Sequence, residues 1–366
     1  CEPTAPYLAN AKGDCDDKND KVTPNAPEIC DGQDNNCNGN VDEGLWSAGA
    51  PVTVATTTGV ALGADNGPPA LVRLADGSFV VFVTAQHESG GTAGKLWGQR
   101  FDASLKPVGG LTQLAATVVP DIEDMDQFVQ PTAAVDPATG TVLVGLRRLK
   151  FDYVHYSGGN NWSGWASALL LPVDTSKPGQ LLPGAMMPVI EEYKYWSYDW
   201  TYPVLSAPRV SWNGKSFSFT LNSCHQHDVY NSPIYGGTAS PQTGAGNVHM
   251  LLGDKYAAMM TMYQSWSPRK NAMSASTVGP TSAISCFNSS QDDGKVRCVV
   301  MDPGFAAPMA PGVLLKDSKG LYPVGAAATG DNFIVGMRDQ GGSALRWAAV
   351  DGKTGADLGC KSLEKL

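Results

Sequence analysis

The sequence reads PALVRLADGSFVVFVTA over residues 69–85, and this stretch decides the fold. Two runs of alternating apolar residues flank Asp76-Gly77, a dipeptide typical of the tight turn of a β-hairpin. The residues that follow, up to Thr117, read as two more short strands. The stretch therefore predicts one four-stranded antiparallel unit.

The unit recurs along the chain with irregular spacing. Further pairs of apolar runs flank Thr139-Gly140, Asn213-Gly214, Asp293-Gly294 and Thr329-Gly330. Four-stranded units that repeat in this way predict an all-β fold, a β-propeller of about five blades. Six or seven blades stay open because residues 174–206 and 250–280 are hard to assign. An open β-sandwich is the alternative fold.

Residues 51–56 read as a lone strand, and the last unit lacks its fourth strand. We expect this early strand to complete the last blade, because ring closure removes the exposed sheet edges of a propeller. The predicted domains are a cysteine-rich motif over residues 1–46 and a propeller over residues 47–366.

The composition narrows the class of protein. The 41 glycines, 25 prolines and 17% charged residues suit a turn-rich β-protein. A net charge of -9 disfavours nucleic acid and anionic membranes as partners, and no apolar run reaches transmembrane length. Common hydrolase, P-loop and zinc-protease motifs are absent from the sequence, so the chain is predicted not to be an enzyme, with no catalytic residues.

A calcium loop is predicted near the N-terminus. Asp34, Asn36 and Asn38 alternate and are followed by Gly39, which is the D-x-[DN]-x-[DN]-G opening of such a loop. It is not an EF-hand, because position twelve is Leu45. The alternative is an acidic, disulfide-pinned surface loop without metal. The predicted calcium ligands are Asp14, Asp16, Asp34, Asn36, Asn38, Asn40 and Asp42.

The cysteines predict disulfides and an exported protein, since their number is even and no CxxC pair occurs. Cys286 and Cys298 flank a turn and could bridge adjacent strands, while the other pairings cannot be deduced. The chain begins at Cys1, which we expect to be a mature N-terminus, and a lipid anchor on Cys1 is left open. The disulfide candidates are Cys1, Cys15, Cys30, Cys37, Cys224, Cys286, Cys298 and Cys360.

The N-terminal stretch also carries a family resemblance. DCDD at residues 14–17 and PNAPEICDGQDNNCNGNVDEG at residues 24–44 resemble the MopE-type cysteine-rich motif, which is repeated in surface proteins of myxobacteria. The same motif is associated with a secreted copper-binding protein of methane-oxidising bacteria. The resemblance implies metal ions as partners and an extracellular or outer-surface location in a bacterium.

Four of the five histidines are predicted to lie on one face, because each follows the second strand of its blade. Imidazole suits copper, which the family resemblance favours over other transition metals. In that family two histidines and an oxidised tryptophan hold copper, but the position two before His155 is Tyr153 here, which excludes the tryptophan-derived ligand. The predicted copper ligands are His87, His155, His225 and His227.

An aromatic run and an acidic loop are the basis of alternative functions. The run Tyr193–Tyr202 is rich in aromatic rings, with Trp162 and Trp165 expected in a neighbouring loop, and could form a sugar platform or fill a gap between blades. The loop with Asp121, Glu123, Asp124 and Asp126 could supply a general acid/base pair, and the favoured alternative is a solvated loop or another cation site. The alternative functions are a surface adhesin or carbohydrate-binding propeller with a glycan or cell-surface partner, and a structural or filament subunit.

Overall fold

The structure is a computed structural model. The structure describes residues 15–16, 18–19, 21–28, 33–40, 69–85, 94–117, 125–156, 159–194, 204–224, 234–246, 248–252, 274–288, 292–339 and 345–359. In these ranges the chain is all-β, as the sequence predicted, and contains no α-helix. No helix long and apolar enough to cross a membrane occurs in them.

The strands of the described ranges form five antiparallel sheets that follow one another in chain order. Sheet 1 has the order β1-β2-β3-β4 that residues 69–117 predicted. Sheet 2 has the order β5-β6-β7-β8, with β9 also paired to β7. The strands of these sheets are β1 (Ala70–Arg73), β2 (Phe79–Ala85), β3 (Lys95–Phe101), β4 (Pro107–Ala116), β5 (Met125–Val135), β6 (Thr141–Tyr156), β7 (Gly159–Asp174), β8 (Leu182–Pro183) and β9 (Met187–Lys194).

Sheets 3, 4 and 5 repeat the arrangement. Sheet 3 is built on β12, which pairs with β10, β11 and β13, and β13 in turn pairs with β14 and β15. Its strands are β10 (Val204–Leu205), β11 (Arg209–Trp212), β12 (Phe217–Cys224), β13 (Ile234–Ser240), β14 (Gly244–Ala245) and β15 (His249–Leu252). Sheets 4 and 5 contain β16 (Ser274–Val278), β17 (Ala283–Asn288), β18 (Val296–Met301), β19 (Val313–Leu314), β20 (Leu321–Thr329), β21 (Asn332–Asp339) and β22 (Leu345–Asp351).

The turns between the first and second long strands lie where the sequence placed them in sheets 1, 2, 3 and 5, whereas Asp293-Gly294 joins the second and third strands of sheet 4. Gly77 has φ of 82° and Gly214 has φ of 90°, a region that favours glycine because it has no Cβ. The carboxylate of Asp76 accepts a hydrogen bond from the Ser78 amide at 2.9 Å, which closes the first turn. These local contacts set the register of each hairpin.

Sheet 2 buries both of its faces, because β6 carries apolar side chains on each of them. Val144 and Leu146 belong to a core cluster shared with sheet 1, whereas Leu143 and Leu149 belong to a second cluster shared with sheet 3. Successive side chains of a strand point to opposite faces, so one strand serves both clusters. A third cluster joins sheets 4 and 5 through residues such as Phe333.

The first long strand of each sheet packs on that of the next. β1 contacts β5, β5 contacts β11, β11 contacts β16, and β16 contacts β20. The sheets therefore follow one another face to face, with β5, β11 and β16 each lying between two neighbours. This packing of the sheets positions the residues of the candidate sites.

Among the described residues sheet 5 has three strands, and the chain after β22 turns back along it. The Asp351 amide donates to the Ala356 carbonyl at 2.9 Å, and the Leu358 amide donates to the Ala349 carbonyl at 2.9 Å. The chain itself therefore occupies part of the position beside β22 that residues 51–56 were expected to fill. Those residues lie outside the described ranges, so the ring closure stays a prediction.

Candidate functional site

Residues 33–40 form a compact loop around the carboxylate of Asp34. Its Oδ1 accepts a hydrogen bond from the Asn38 amide at 3.1 Å, and its Oδ2 accepts one from the Gly39 amide at 2.7 Å. Gly39 has φ of 91°, which lets the backbone turn back toward the carboxylate. The first acidic residue of the motif and its glycine are thus held together by the main chain.

The two asparagines of the alternating pattern point their oxygens along the same loop. Asn36 Oδ1 accepts from the Asn38 amide at 3.1 Å, and Asn38 Oδ1 accepts from the Asn40 amide at 2.9 Å. The Asn36 amide donates to Glu28 Oε1 at 2.8 Å. The loop therefore gathers carboxylate and amide oxygens, the donor types that Ca²⁺ prefers.

A disulfide fixes this loop to the preceding segment. Cys15 and Cys37 are bonded, with their Cα atoms 5.7 Å apart. The Thr23 amide donates to the Asn35 carbonyl at 2.9 Å, and Asn35 is fully buried. Asp16, which follows Cys15, is thereby held near the 34–38 loop.

The calcium prediction is covered only in part by the described residues. Asp16, Asp34, Asn36, Asn38 and Asn40 are described, whereas Asp14 and Asp42 lie outside. Within the described part of the chain, no group of three or more His, Cys, Asp or Glu residues could hold a metal ion. The ligand set therefore stays a prediction.

The predicted copper ligands are described only at one position. His155 was expected at the start of a loop, but β6 extends to Tyr156 and the structure pairs His155 with Asn160 of β7. His87, His225 and His227 lie outside the described residues. In the chain the first of them follows β2 and the other two follow β12, and their placement on one face stays a prediction.

The second disulfide lies in the core. Cys286 of β17 and Cys298 of β18 face each other in the strand register and are bonded, as their positions around a turn suggested. Both side chains are buried in the cluster between sheets 4 and 5. The cysteines at positions 1, 30 and 360 lie outside the described residues, and the side chain of Cys224 is not described.

The acidic stretch before sheet 2 is not a solvated loop at Asp126. This residue lies in β5, where its carboxylate is fully buried and accepts two hydrogen bonds from Arg148 at 2.8 and 2.5 Å. A paired, buried carboxylate of this kind holds the sheet together. Asp121, Glu123 and Asp124 lie outside the described residues.

The aromatic stretch is partly accounted for by sheet 2. Trp162 and Trp165 were expected in a loop, but both lie in β7, and Trp165 is in register with Tyr193 of β9. Residues 195–202 lie outside the described ranges. The backbone placement is that of strands, which was the alternative to a sugar platform.

Two desolvated arginines, the fully buried Arg147 and the half-buried Arg209, escaped the sequence analysis. Burial lowers the pKa of Arg147 and of Arg209 to about 10. Both occupy strand positions in sheets 2 and 3. The sequence offers no local signal for them, because their burial depends on how the sheets pack.

Residues 14–43 match the Cu-binding MopE family model, described as "Putative metal-binding motif". The match confirms the resemblance seen in the sequence and supports metal binding by this stretch. It covers a small part of the 366 residues, so it classifies the motif and not the chain. The comparison with curated protein sequences found no match.

Solved structures with a similar arrangement have low sequence identity to this chain. An α-L-arabinanase of Penicillium chrysogenum has 10% identity and a TM-score of 0.44, over 79% of this chain and 78% of that one. A GH43 β-1,3-galactosidase has 11% identity and a TM-score of 0.45, over 84% and 98%. A Hadza microbial sialidase has 12% identity and a TM-score of 0.45, over 84% and 61%. The chain therefore spans about three fifths of the sialidase.

These neighbours correct one prediction. The chain was predicted not to be an enzyme, whereas the similar solved structures include an arabinanase, a sialidase and a galactosidase. The absence of short sequence motifs was thus the wrong ground for excluding catalysis, because catalytic groups on sheet proteins come from distant strands. TM-scores below 0.5 do not assign a reaction to this chain.

Proposed function

We propose that the chain is an exported metal-binding protein, with a calcium-stabilised N-terminal motif over residues 1–46 and a β-propeller over residues 47–366. The observation that carries the calcium proposal is the Asp34 loop, in which the main chain fixes the first acidic residue, two amide side chains alternate behind it, and a disulfide holds the whole. Asp14, Asp16 and Asp42 would complete the oxygen shell with Asp34, Asn36, Asn38 and Asn40.

In this proposal calcium has a structural role. Several carboxylates brought close together repel one another, and a bound divalent cation removes that repulsion and contributes its binding free energy to folding. The disulfide and the cation would act on the same short segment. Both fit an oxidising, extracellular or outer-surface environment.

The test is calcium titration of the whole chain by calorimetry after removal of metal with a chelator. Asp34→Ala is expected to weaken calcium binding at least tenfold, because it removes one ligand and two main-chain contacts that shape the loop. Asp102→Ala is the matched control, since Asp102 also caps a turn by accepting from the Ser104 and Lys106 amides at 2.8 and 2.9 Å. A wild-type chain that binds no calcium would refute the proposal.

The propeller proposal is supported by the order of the sheets. Five meander-like sheets follow in sequence, and their first long strands pack on one another in turn. That is the arrangement of blades around a common axis. Five blades is the number proposed.

A copper site on the histidine-bearing face is proposed as a second metal site. Its support is that His155 lies near the end of β6, while His225 and His227 follow β12 and His87 follows β2, each the second strand of its sheet. Imidazole nitrogen suits copper. The protein would then take up, store or scavenge copper outside the cell.

Elemental analysis of protein loaded with copper and then desalted tests this site. His155→Ala is expected to lower the bound copper, while His249→Ala serves as the matched control because His249 lies in β15, away from the second strands. Equal copper in both variants and the wild type would remove His155 from the site. Calcium binding would be unaffected by either result, so the two metal proposals fail separately.

A further inference from the structure

The seam between sheets 3 and 4 is lined with buried hydroxyl groups. Thr220 Oγ1 and Ser276 Oγ are 2.7 Å apart across the seam, and Ser276 Oγ donates to Ser285 Oγ at 3.1 Å. Thr220 and Ser285 are fully buried. Buried hydroxyls need hydrogen-bond partners, and these supply one another.

A second polar link extends the seam toward the turn of sheet 3. Ser218 Oγ donates to the Pro303 carbonyl of sheet 4's last turn at 3.2 Å, and Asn213 Nδ2 donates to Ser218 Oγ at 3.0 Å. The clusters on the other faces, between sheets 1 and 2, 2 and 3, and 4 and 5, are made of apolar residues. The seam differs in that hydroxyl groups lie beside its apolar cluster, which includes Phe287 and Met301 of sheet 4.

The end of the seam remote from the Asn213-Gly214 turn is its upper end, and Arg209 lies there. It is the first residue of β11 and lies opposite Thr220 in the strand register, so its side chain leaves the sheet on the Thr220 face. β11 packs on β16, which carries Ser276. The guanidinium is therefore placed beside the hydroxyl chain and between two sheets.

Among the described residues Arg209 has no acceptor for its Nε and no carboxylate in contact. Other sheet arginines are paired: Arg100 contacts Asp76 at 2.6 Å, and Arg297 contacts Asp292 at 2.6 Å. Arg209 is also only partly exposed. Burying a charge without a partner costs free energy, and the lowered pKa of Arg209, caused by desolvation, reflects that cost.

We propose that Arg209 is the recognition residue of a binding site for a small carboxylate ligand at the upper end of the seam between sheets 3 and 4. The planar guanidinium offers a fork of N–H donors that matches a carboxylate. The partial exposure of Arg209 gives a ligand access. Because the net charge is -9, the protein as a whole repels an anion, so an anionic ligand needs a local positive group such as the Arg209 guanidinium.

The site is central in the fold. β11 lies between the first long strands of sheets 2 and 4, and Arg209 lies at its end remote from the Asn213-Gly214 turn. That end of sheet 3 is also the end at which β12 finishes, at Cys224. A ligand at Arg209 would thus lie toward the end of sheet 3 at which β12 finishes, without depending on a metal.

The test uses the full chain saturated with calcium, with sodium glucuronate as the probe and sodium chloride at equal ionic strength as the reference. Thermal unfolding and calorimetric titration are measured for the wild type, Arg209→Met, Arg209→Lys and the control Arg338→Met. Arg338 is an exposed arginine of β21. The wild type and the control are expected to unfold at higher temperature in glucuronate than in chloride.

Arg209→Met is expected to lose this response and to bind glucuronate at least about tenfold more weakly, because a charge-assisted pair is gone. Arg209→Lys should keep part of the response, since it keeps the charge but loses the fork. In chloride, Arg209→Met should unfold at the same or a higher temperature than the wild type, because a desolvated charge has been removed.

Two results would overturn the proposal. If Arg209→Met unfolds at clearly lower temperature in chloride and the wild type ignores glucuronate, a carboxylate of the chain itself pairs with Arg209. If all four proteins respond equally to glucuronate, the anion acts elsewhere on the surface. Neither result bears on calcium or copper binding, so the metal proposals are judged separately.

Discussion

Gly145 is the position at which the contact between sheets 2 and 3 is most sensitive to one methyl group. A Cβ at Gly145 would meet Thr132 Oγ1 at 2.6 Å and Val210 Cγ2 at 3.0 Å, and it would also press on the Pro208 carbonyl oxygen. Thr132 is the residue opposite in β5, while Pro208 and Val210 belong to the segment that begins sheet 3. We therefore expect Gly145→Ala to push the two sheets apart.

The cost follows from the contacts that the methyl group would disturb. The Thr132 hydroxyl donates to the Pro208 carbonyl and accepts from the Val210 amide at 3.4 Å, so these hydrogen bonds join the two sheets. Losing one such bond costs about 1 kcal/mol. Overpacking of a rigid contact costs about 2 kcal/mol more. The expected loss in the free energy of unfolding is therefore about 3 kcal/mol.

Thermal unfolding followed by circular dichroism is the assay. The unfolding entropy of a chain of this length is about 0.8 kcal/mol/K, so a loss of that size lowers Tm by about 4 °C. The matched control is Gly110→Ala, because Gly110 also lies in a strand, β4, and an added Cβ there meets nothing within 4 Å. Equal Tm values for the two variants would refute the packing of sheet 2 on sheet 3 described above.

Three further predictions concern stability. Asp126→Asn should cost about 2 kcal/mol, because its buried carboxylate accepts two hydrogen bonds from its arginine partner, and urea unfolding measures this. Replacing both Cys286 and Cys298 by alanine should cost about 2–4 kcal/mol in guanidinium chloride, since the disulfide constrains the unfolded chain. The hydrogen bond from the Thr354 amide is the largest of several contacts that lower the pKa of Asp351 from 3.8. The ionised carboxylate therefore stabilises the fold above that pH, and this stability is lost as the pH falls below it. Asp351→Asn should lessen the loss of stability on acidification.

Each of these predictions has a result that would contradict it. Wild-type stability in Asp126→Asn would mean that the ion pair contributes nothing. A double variant with the same midpoint as the oxidised wild type would show that the bond does not limit the unfolded chain, and the reduced wild type is the control because it also lacks the bond. A pH profile of Asp351→Asn that overlays the wild type between pH 7 and pH 3 would assign the acid sensitivity to other carboxylates.

Much of the fold could be read from the sequence because its signals are local. A turn dipeptide such as Asp76-Gly77 needs only its own backbone conformation and one nearby side chain, so it marks the hairpin wherever the chain goes. The same holds for the Asp34–Gly39 loop, whose hydrogen bonds span at most five residues. The Cys286–Cys298 bond was also readable, since both cysteines belong to one hairpin.

The tertiary structure decided what depends on residues far apart in the chain. The length of β6 placed His155 inside a strand instead of a loop, because pairing with β7 continues to Tyr156. Asp126 became a buried partner of Arg148 through the pairing of β5 with β6, and Arg209 became a desolvated cation when sheet 3 packed on sheet 4. Sequence spacing determines backbone turns and short-range ligands, whereas burial and charge pairing are properties of the packed sheets, and those set the chemistry of a side chain.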